Sequence, residues 1–281
     1  MIQKSFENNN ILYLIPTPIG NFEDITIRAI EKLKEVDYIL CEDTRVSSVL
    51  LSHFNISKKL VSCHEFNEDK IKGRILEDIK SGKKLGLITD QGSPIISDPG
   101  YRVVKYLTEN GVTVVALPGA TAFVPALMTS GINSNHFLFY GFLNSKRSKR
   151  ISELNNLKQF RYALVFYESV HRLKETLCDM YEVFGNRDVC ICRELTKIHE
   201  EIIRLPLSQL IDYDFTLKGE FVLIVDGNNL ETDYSGISVY EHVKMYIDEG
   251  LEEKDALKKV AKDRGIKKSD IYKEYHTNKT N

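Results

Sequence analysis

Short apolar runs alternating with segments of helical period are what most narrow the folds open to this chain. Residues 11–15 are apolar and are stopped by Pro16; Ile27, Ile30, Leu33 and Val36 then recur at helical spacing, with Asp24 or Thr26 available as a cap. Tyr38–Cys41 reads as a second strand, Ile71, Ile75 and Ile79 as a helix closed by Gly82, and residues 85–89 as a third strand. A helix over 101–107, ended by Asn110-Gly111, leads to a fourth strand over 112–117. Alternation of this kind predicts a mostly parallel sheet with helices packed on it, because parallel neighbours need a crossover connection.

The pattern changes around residues 133–144. Phe137–Phe142 is an aromatic strand, followed by Asn144-Ser145-Lys146-Arg147-Ser148-Lys149-Arg150, which is basic and poor in apolar residues. A strand at 162–167 and a helix carrying Val170, Leu173, Leu177 and Met180 come next, then strands at 188–192, 201–205 and 221–225. Two successive strands without a helix between them imply a mixed sheet. The expected division is therefore an N-terminal α/β domain over 1–132, a second α/β domain with a mixed sheet over 133–228, and a polar linker over 228–235. The last part, 236–281, holds helices at 239–247, 254–264 and 269–275, the last two separated by Gly265, in a helix-turn-helix-like arrangement. Its lysines, Lys254, Lys258, Lys259, Lys262, Lys267, Lys268 and Lys273, with Arg264, offer either phosphate contacts or a plain solvated surface.

At 281 residues the chain has room for two cores, and no apolar run is long enough to span a bilayer. The first ten residues lack the basic-then-apolar layout of a secretory leader. Five scattered cysteines without CxxC spacing point to reduced thiols, a cytoplasmic address and no zinc site. A net charge of −2 argues against wholesale coating of nucleic acid, although local basic patches remain compatible with it.

Chemistry is expected where strands end in Gly- and Pro-rich turns: Pro16-Thr17-Pro18-Ile19-Gly20-Asn21, the run 89–100 with Asp90, and Pro118-Gly119-Ala120-Thr121-Ala122. Ligands of open α/β sheets bind beyond the carboxyl ends of the strands, where these loops converge. Neither GxGxxG nor GxxxxGK[ST] is present, which removes the main support for dinucleotide or P-loop binding. Asp90 reads either as a turn cap or as a carboxylate for a cation or ribose hydroxyl, and Asp98, ahead of Pro99-Gly100, as a helix cap. Dense polar clusters follow at 41–45, 63–68, 166–172 and 192–201; His64 and Glu65 lack a second His at the spacing a metal site needs.

Together, PTPIGN at 16–21, CEDTR at 41–45, SDPG at 97–100, PGATA at 118–122, FYES with His171-Arg172, and RELTK followed by His199-Glu200-Glu201 resemble the tetrapyrrole methylase superfamily, the class III S-adenosylmethionine methyltransferases. Within it the combination resembles the branch that methylates small-subunit ribosomal RNA, over about residues 12–226. The resemblance implies two α/β domains with S-adenosylmethionine in the cleft between them, a homodimer, and 2′-O-methylation of a cytidine in the decoding region of 16S rRNA. The cofactor-binding positions it implies are Pro18, Ile19, Asp90, Ser93, Thr121, Ala122, Tyr167 and Glu220. The usual Asp-Ala-Gly-Thr-Pro-Gly-Ile-Ser-Asp run has here Gln91, Ser93 and Ile95 in place of Ala, Thr and Gly, and Val170 replaces a Pro.

Methyl transfer from a sulfonium is an in-line displacement in which positioning supplies much of the acceleration. A base for the 2′-hydroxyl would add roughly 10²–10⁴-fold; the candidates are Asp43, His64, Glu65, Glu194 and Glu201. Arg45, Arg172, Arg193 and Lys197 are assigned to RNA phosphates, with Lys146, Arg147, Lys149 and Arg150 extending that surface. Rival readings are a class III enzyme acting on a small tetrapyrrole and an inactive RNA-binding ribosome-assembly protein.

Overall fold

The computed structural model describes residues 2–5, 10–228 and 236–278; apart from Asn228, the expected linker lies outside them. Close contacts divide the chain into two units, Met1–Asn228 and Asn229–Asn281.

The larger unit holds two five-stranded sheets. The first contains β1 (Ile11–Leu14), β2 (Tyr38–Cys41), β3 (Lys59–Ser62), β4 (Leu85–Leu87) and β5 (Thr113–Ala116), ordered β3-β2-β4-β1-β5 with every pairing parallel. Its strands are connected by α1 (Ile27–Glu35), α2 (Thr44–His53), α3 (Glu68–Lys80) and α4 (Tyr101–Glu109). The interior strand β1 is apolar throughout because both of its faces are covered. Ile11 and Tyr13, with the following Ile15, pack with Leu33 of α1 and Leu51 of α2, while Leu12 packs with Ile75 and Ile79 of α3 and Val103 of α4. Each such buried aliphatic side chain contributes about 1.5–3 kcal/mol. Thr26 caps α1, its hydroxyl accepting from Ala29 N at 3.0 Å.

The second sheet contains β6 (Phe137–Phe142), β7 (Ala163–Ser169), β8 (Asp188–Arg193), β9 (Glu201–Pro206) and β10 (Glu220–Val225), ordered β6-β7-β10-β8-β9. β6 and β7 run parallel and the remaining pairings are antiparallel, so the sheet is mixed as the sequence predicts. Along β10, Phe221, Leu223 and Val225 face a core shared with α6 (Arg147–Leu157) and α7 (Leu173–Phe184). Val222 and Ile224 face the other way, toward α5 (Phe123–Ser130) and Ile19, Ala120 and Ala122 from the loops of the first sheet. That second layer joins the two sheets.

Several elements differ from the expectations. A strand, β3, precedes the one expected third, so residues 85–87 form the fourth. The polar cluster after β2 opens a helix, α2, capped by Asp43. The basic stretch near 144–150 is the start of α6, whose Arg150 is only 1% exposed and donates to Asp179 of α7 at 2.7 Å. A short helix, α8 (Leu207–Leu210), follows β9.

The smaller unit comprises α9 (Val239–Asp248), α10 (Glu253–Asp263) and α11 (Lys268–Asn278) around a core of Val243, Tyr246, Leu257, Val260, Ile271 and Tyr275. Ser238 and Glu241 form a reciprocal capping box at the start of α9. Gly265, at φ +63°, turns the chain between α10 and α11.

Candidate active site

From β1 the chain travels toward β2, and from its neighbour β4 toward β5, in the opposite direction along the sheet. The loops following these two strands therefore part at the carboxyl edge, where an open α/β sheet forms its crevice. They are fastened to each other at their bases. Thr17 N donates to Gly92 O at 2.8 Å, Gly92 N donates back to Thr17 O at 3.0 Å, and the Thr17 hydroxyl donates to Thr89 O at 3.1 Å. Gly92 sits at φ +84°, and a side chain there would come within 3.3 Å of Ile19. Ser93 Oγ then donates to Ala120 O at 3.0 Å, tying in the loop that follows β5. At Gly119 a side-chain carbon would lie 2.6 Å from the Pro16 ring, so the first and third loops also pack backbone to ring.

These loops and the facing ends of β6, β7, β8 and β10 enclose a cavity of about 470 Å³, within the range of about 300–1,000 Å³ common for small-molecule sites. Its walls are apolar at Ile19, Ala122, Phe142, Leu195, Phe221 and Val222. Its charge is one-sided: Asp90, Asp98, Glu168 and Glu220 line it, and no Lys, Arg or His is among the described lining residues.

The four carboxyl groups are held differently. Glu168 is 2% exposed and ion-paired with Arg172 at 2.7 Å, with Thr176 Oγ1 and Ser169 N also donating to it. Glu220 pairs with Lys197 at 3.0 Å. Asp90 accepts from Asp43 N at 3.2 Å; burial, joined by the nearby Asp43 carboxylate, pushes its pKa up. Burial also raises Asp98, and the Glu42 carboxylate adds to it, bringing this group to about 6. The Thr89 hydroxyl donates to Glu42 Oε2 at 3.4 Å and opposes the rise at Asp98; Glu42 is itself raised, first by burial and then by Asp90. Burial raises Tyr167 as well, while the Thr121 side chain and the N–H groups of Phe123 and Ala122 oppose that shift at its hydroxyl.

Of the eight positions assigned to the cofactor, Ile19, Asp90, Ser93, Thr121, Ala122, Tyr167 and Glu220 line this one cavity; Pro18 is buried and is not part of its lining. The five base candidates are placed elsewhere, and none lines the cavity. Asp43 caps α2 and pairs with Arg45 at 2.6 Å, whose hydrogen bonds hold it down at about 2. His64 donates its backbone N–H to Asn67 Oδ1, and Glu65 is exposed. Glu194 pairs with Lys197 at 2.9 Å; burial pushes its pKa up, but Lys197 and Glu220 N outweigh it and the group ends lowered. Glu201 pairs with Arg193 at 3.4 Å.

The assigned phosphate contacts also separate. Arg45 projects into solvent with 89% of its side chain exposed. Arg172 is engaged with Glu168 and also donates to Leu143 O at 3.2 Å. Arg193, 8% exposed, donates to Lys218 O at 2.8 Å. Lys197 is shared between Glu194 and Glu220. Asp98, read in the sequence as a helix cap, instead faces the cavity. The α4 N-terminus is served from a distance by Glu68, which accepts from Gly100 N at 2.8 Å and Arg102 N at 2.9 Å.

A family model described as Tetrapyrrole (Corrin/Porphyrin) Methylases matches residues 11–211. A protein of Halalkalibacterium halodurans named Ribosomal RNA small subunit methyltransferase I is 46% identical over 277 residues, covering 96% of each chain. One of the same name from Bacillus subtilis is 46% identical over 285 residues, covering 98% of each. Among solved structures, a diphthine synthase superposes with a TM-score of 0.60 at 13% identity, covering 77% of this chain and 90% of its own, which is a likeness of fold. The chain is a methyltransferase of the tetrapyrrole (corrin/porphyrin) methylase family, and within that family it belongs with the proteins named ribosomal RNA small subunit methyltransferase I.

Proposed function

We propose that this protein transfers a methyl group from S-adenosylmethionine to the ribose 2′-oxygen of a cytidine in the decoding region of 16S rRNA. The observation that carries the cofactor assignment is the cavity at the carboxyl edge of the first sheet, whose charged residues, among those described as lining it, are all acidic. A phosphorylated nucleotide calls for cations or a glycine-rich helix start. S-adenosylmethionine instead presents a sulfonium and an ammonium, which carboxylates favour, and a flat adenine suited to apolar walls. The residues fit it: Asp90 and Glu220 would accept from its ammonium or hydroxyl groups, with Ile19, Ala122 and Tyr167 as walls and the Gly92 backbone admitting close approach.

The group supplies an activated methyl carbon when bound. What the chain must add is exclusion of water, fixed orientation of the ribose hydroxyl and a place for its proton. The loops zipped through Thr17 and Gly92 provide a rigid floor for that orientation. The ribosomal substrate rests on the names of the relatives, and the exposed Lys254, Lys258, Lys262, Lys267 and Lys268 of the smaller unit suit phosphates. A homodimer, implied by the family resemblance, and a cytoplasmic place of action complete the reading.

Calorimetry with S-adenosylmethionine, methyl transfer to 30S subunits and to free 16S rRNA, and mass mapping of the product nucleotide test it. A methyl group on the ribose of one cytidine is expected. Absence of cofactor binding, or a methyl group on a base, refutes it. Sedimentation at several protein concentrations tests the dimer.

A further inference from the structure

We infer that Asp98 is the catalytic residue that takes the proton from the attacking hydroxyl, placed over the cavity by a loop held in an otherwise unfavourable backbone shape. The inference rests on the ribose-methylating reading above and assigns the base within it.

Three observations lead there. The first is position. Asp98 lines the cavity on the side of the first sheet, while its loop spans toward the second: a side-chain carbon at Gly141 of β6 would lie 2.9 Å from Ser97 Oγ. The second is availability. Glu168 and Glu220 are neutralised by Arg172 and Lys197, and Asp90 is bonded to a backbone N–H. Among the described residues Asp98 forms no ion pair, and the hydroxyl of Thr89, which lowers its pKa, donates to Glu42.

The third is the backbone itself. Ile95 and Ser97 stand at φ +76° and +66°, in the left-handed region that costs an L-residue and is rare for a β-branched one. Such a shape persists only when its surroundings over-determine it, and it concentrates at working sites. Here both ends of the loop are clamped, by the Thr17–Gly92 pair before it and by the buried Glu68 carboxylate after it. The clamps and the two left-handed residues together fix where Asp98 points.

The groups facing Asp98 are acidic or neutral: Glu42 after β2, Asp90 after β4 and Tyr167 on β7. With its carboxyl pushed up to about 6, Asp98 is mostly ionised at pH 7 and still basic enough to accept a proton. In the step, the hydroxyl oxygen forms its bond to the methyl carbon as its proton passes to the Asp98 carboxylate. The carbon–sulfur bond breaks with its electron pair returning to sulfur, which leaves as a neutral thioether.

The test compares the wild type with Asp98→Asn and Glu42→Gln. Without donor or RNA, carbon-13 carboxyl NMR should show one aspartate titrating near 6 that is missing from Asp98→Asn. Asp98→Asn should bind S-adenosylmethionine within about threefold of the wild type, lose about 10²–10⁴-fold in kcat, and lose the acid limb of the pH–kcat profile. Glu42→Gln, which keeps Asp98 and removes a repelling carboxylate, should move that limb to lower pH. The inference is overturned by a kcat for Asp98→Asn within about fivefold of wild type, by donor affinity falling in step with the rate, or by an acid limb that Glu42→Gln leaves in place. Donor binding and the carboxyl titration need no RNA, so failure of this inference is distinguishable from failure of the wild type to methylate a ribose.

Discussion

Replacing Glu68 should loosen the loop that carries Asp98, and the size of the effect follows from three hydrogen bonds. Glu68 opens α3 and is 3% exposed; Oε1 accepts from Gly100 N at 2.8 Å, and Oε2 from Arg102 N at 2.9 Å and Val103 N at 3.4 Å. No side chain caps α4 locally, so this carboxylate satisfies N–H groups that the helix cannot satisfy for itself. It also meets the positive ends of two helix dipoles. Hydrogen bonds to a charged acceptor contribute about 1.5–3 kcal/mol each, so the two short ones come to about 3–6 kcal/mol. Water can enter beside the exposed Tyr101 and restore part of this, leaving about 2–4 kcal/mol lost in Glu68→Ala. For a unit of this length that is a fall in Tm of about 5–15 °C. Glu68→Gln, which keeps one acceptor oxygen, should lose about half as much. Urea unfolding followed by circular dichroism measures the loss, and amide exchange at Gly100, Arg102 and Val103 should quicken with it. Stability of Glu68→Ala within about 1 kcal/mol of wild type, or unchanged exchange at those three amides, would refute the reasoning.

Three further outcomes follow from the same geometry. Asp98 titrates near 6 in the fold against about 3.9 in an unfolded chain, so the fold favours its protonated form; stability is full below pH 4 and is lost as pH rises toward 6. Asp98→Asn should therefore be more stable than wild type at pH 7 by on the order of 1–3 kcal/mol, with the difference vanishing below pH 4 in denaturant titrations. Asp179→Ala leaves Arg150 buried without its closest carboxylate and should cost about 3–5 kcal/mol in the same titrations. Gly119→Ala drives a carbon into the Pro16 ring; overpacking costs about 1–3 kcal/mol, and calorimetry should show donor affinity weakened about tenfold or more.

The parts of the fold legible in the sequence are those whose cause is local. The central strands show as apolar runs because both faces of the first sheet are covered, and Thr26 is recognisable as a cap because its partner is three residues away. β3 leaves no signal in the sequence because it is a four-residue edge strand with no buried residue to mark it. α6 is masked by the basic residues of its first turn, although Ile151, Leu154 and Leu157 recur at helical spacing behind them. The loops of the candidate site were visible as Gly and Pro at successive strand ends. The role of Asp98 was not, because the group that displaces it as a cap, Glu68, is 30 residues earlier in the chain. Arg172 and Arg193 look like free cations in sequence for the same reason: Leu143 and Lys218, whose carbonyls hold them, lie 29 and 25 residues away.

Cys192 extends from β8 into the cavity, beside Cys190 at 3.8 Å between sulfurs. A thiolate in that place would be a better nucleophile than any ribose hydroxyl, and on the reading proposed above an alkylating agent is the natural occupant. Hydrogen bonding to Cys190 and then burial hold the Cys192 pKa far above that of a free thiol. The sulfur is thereby held as the thiol, the form that is a poor nucleophile.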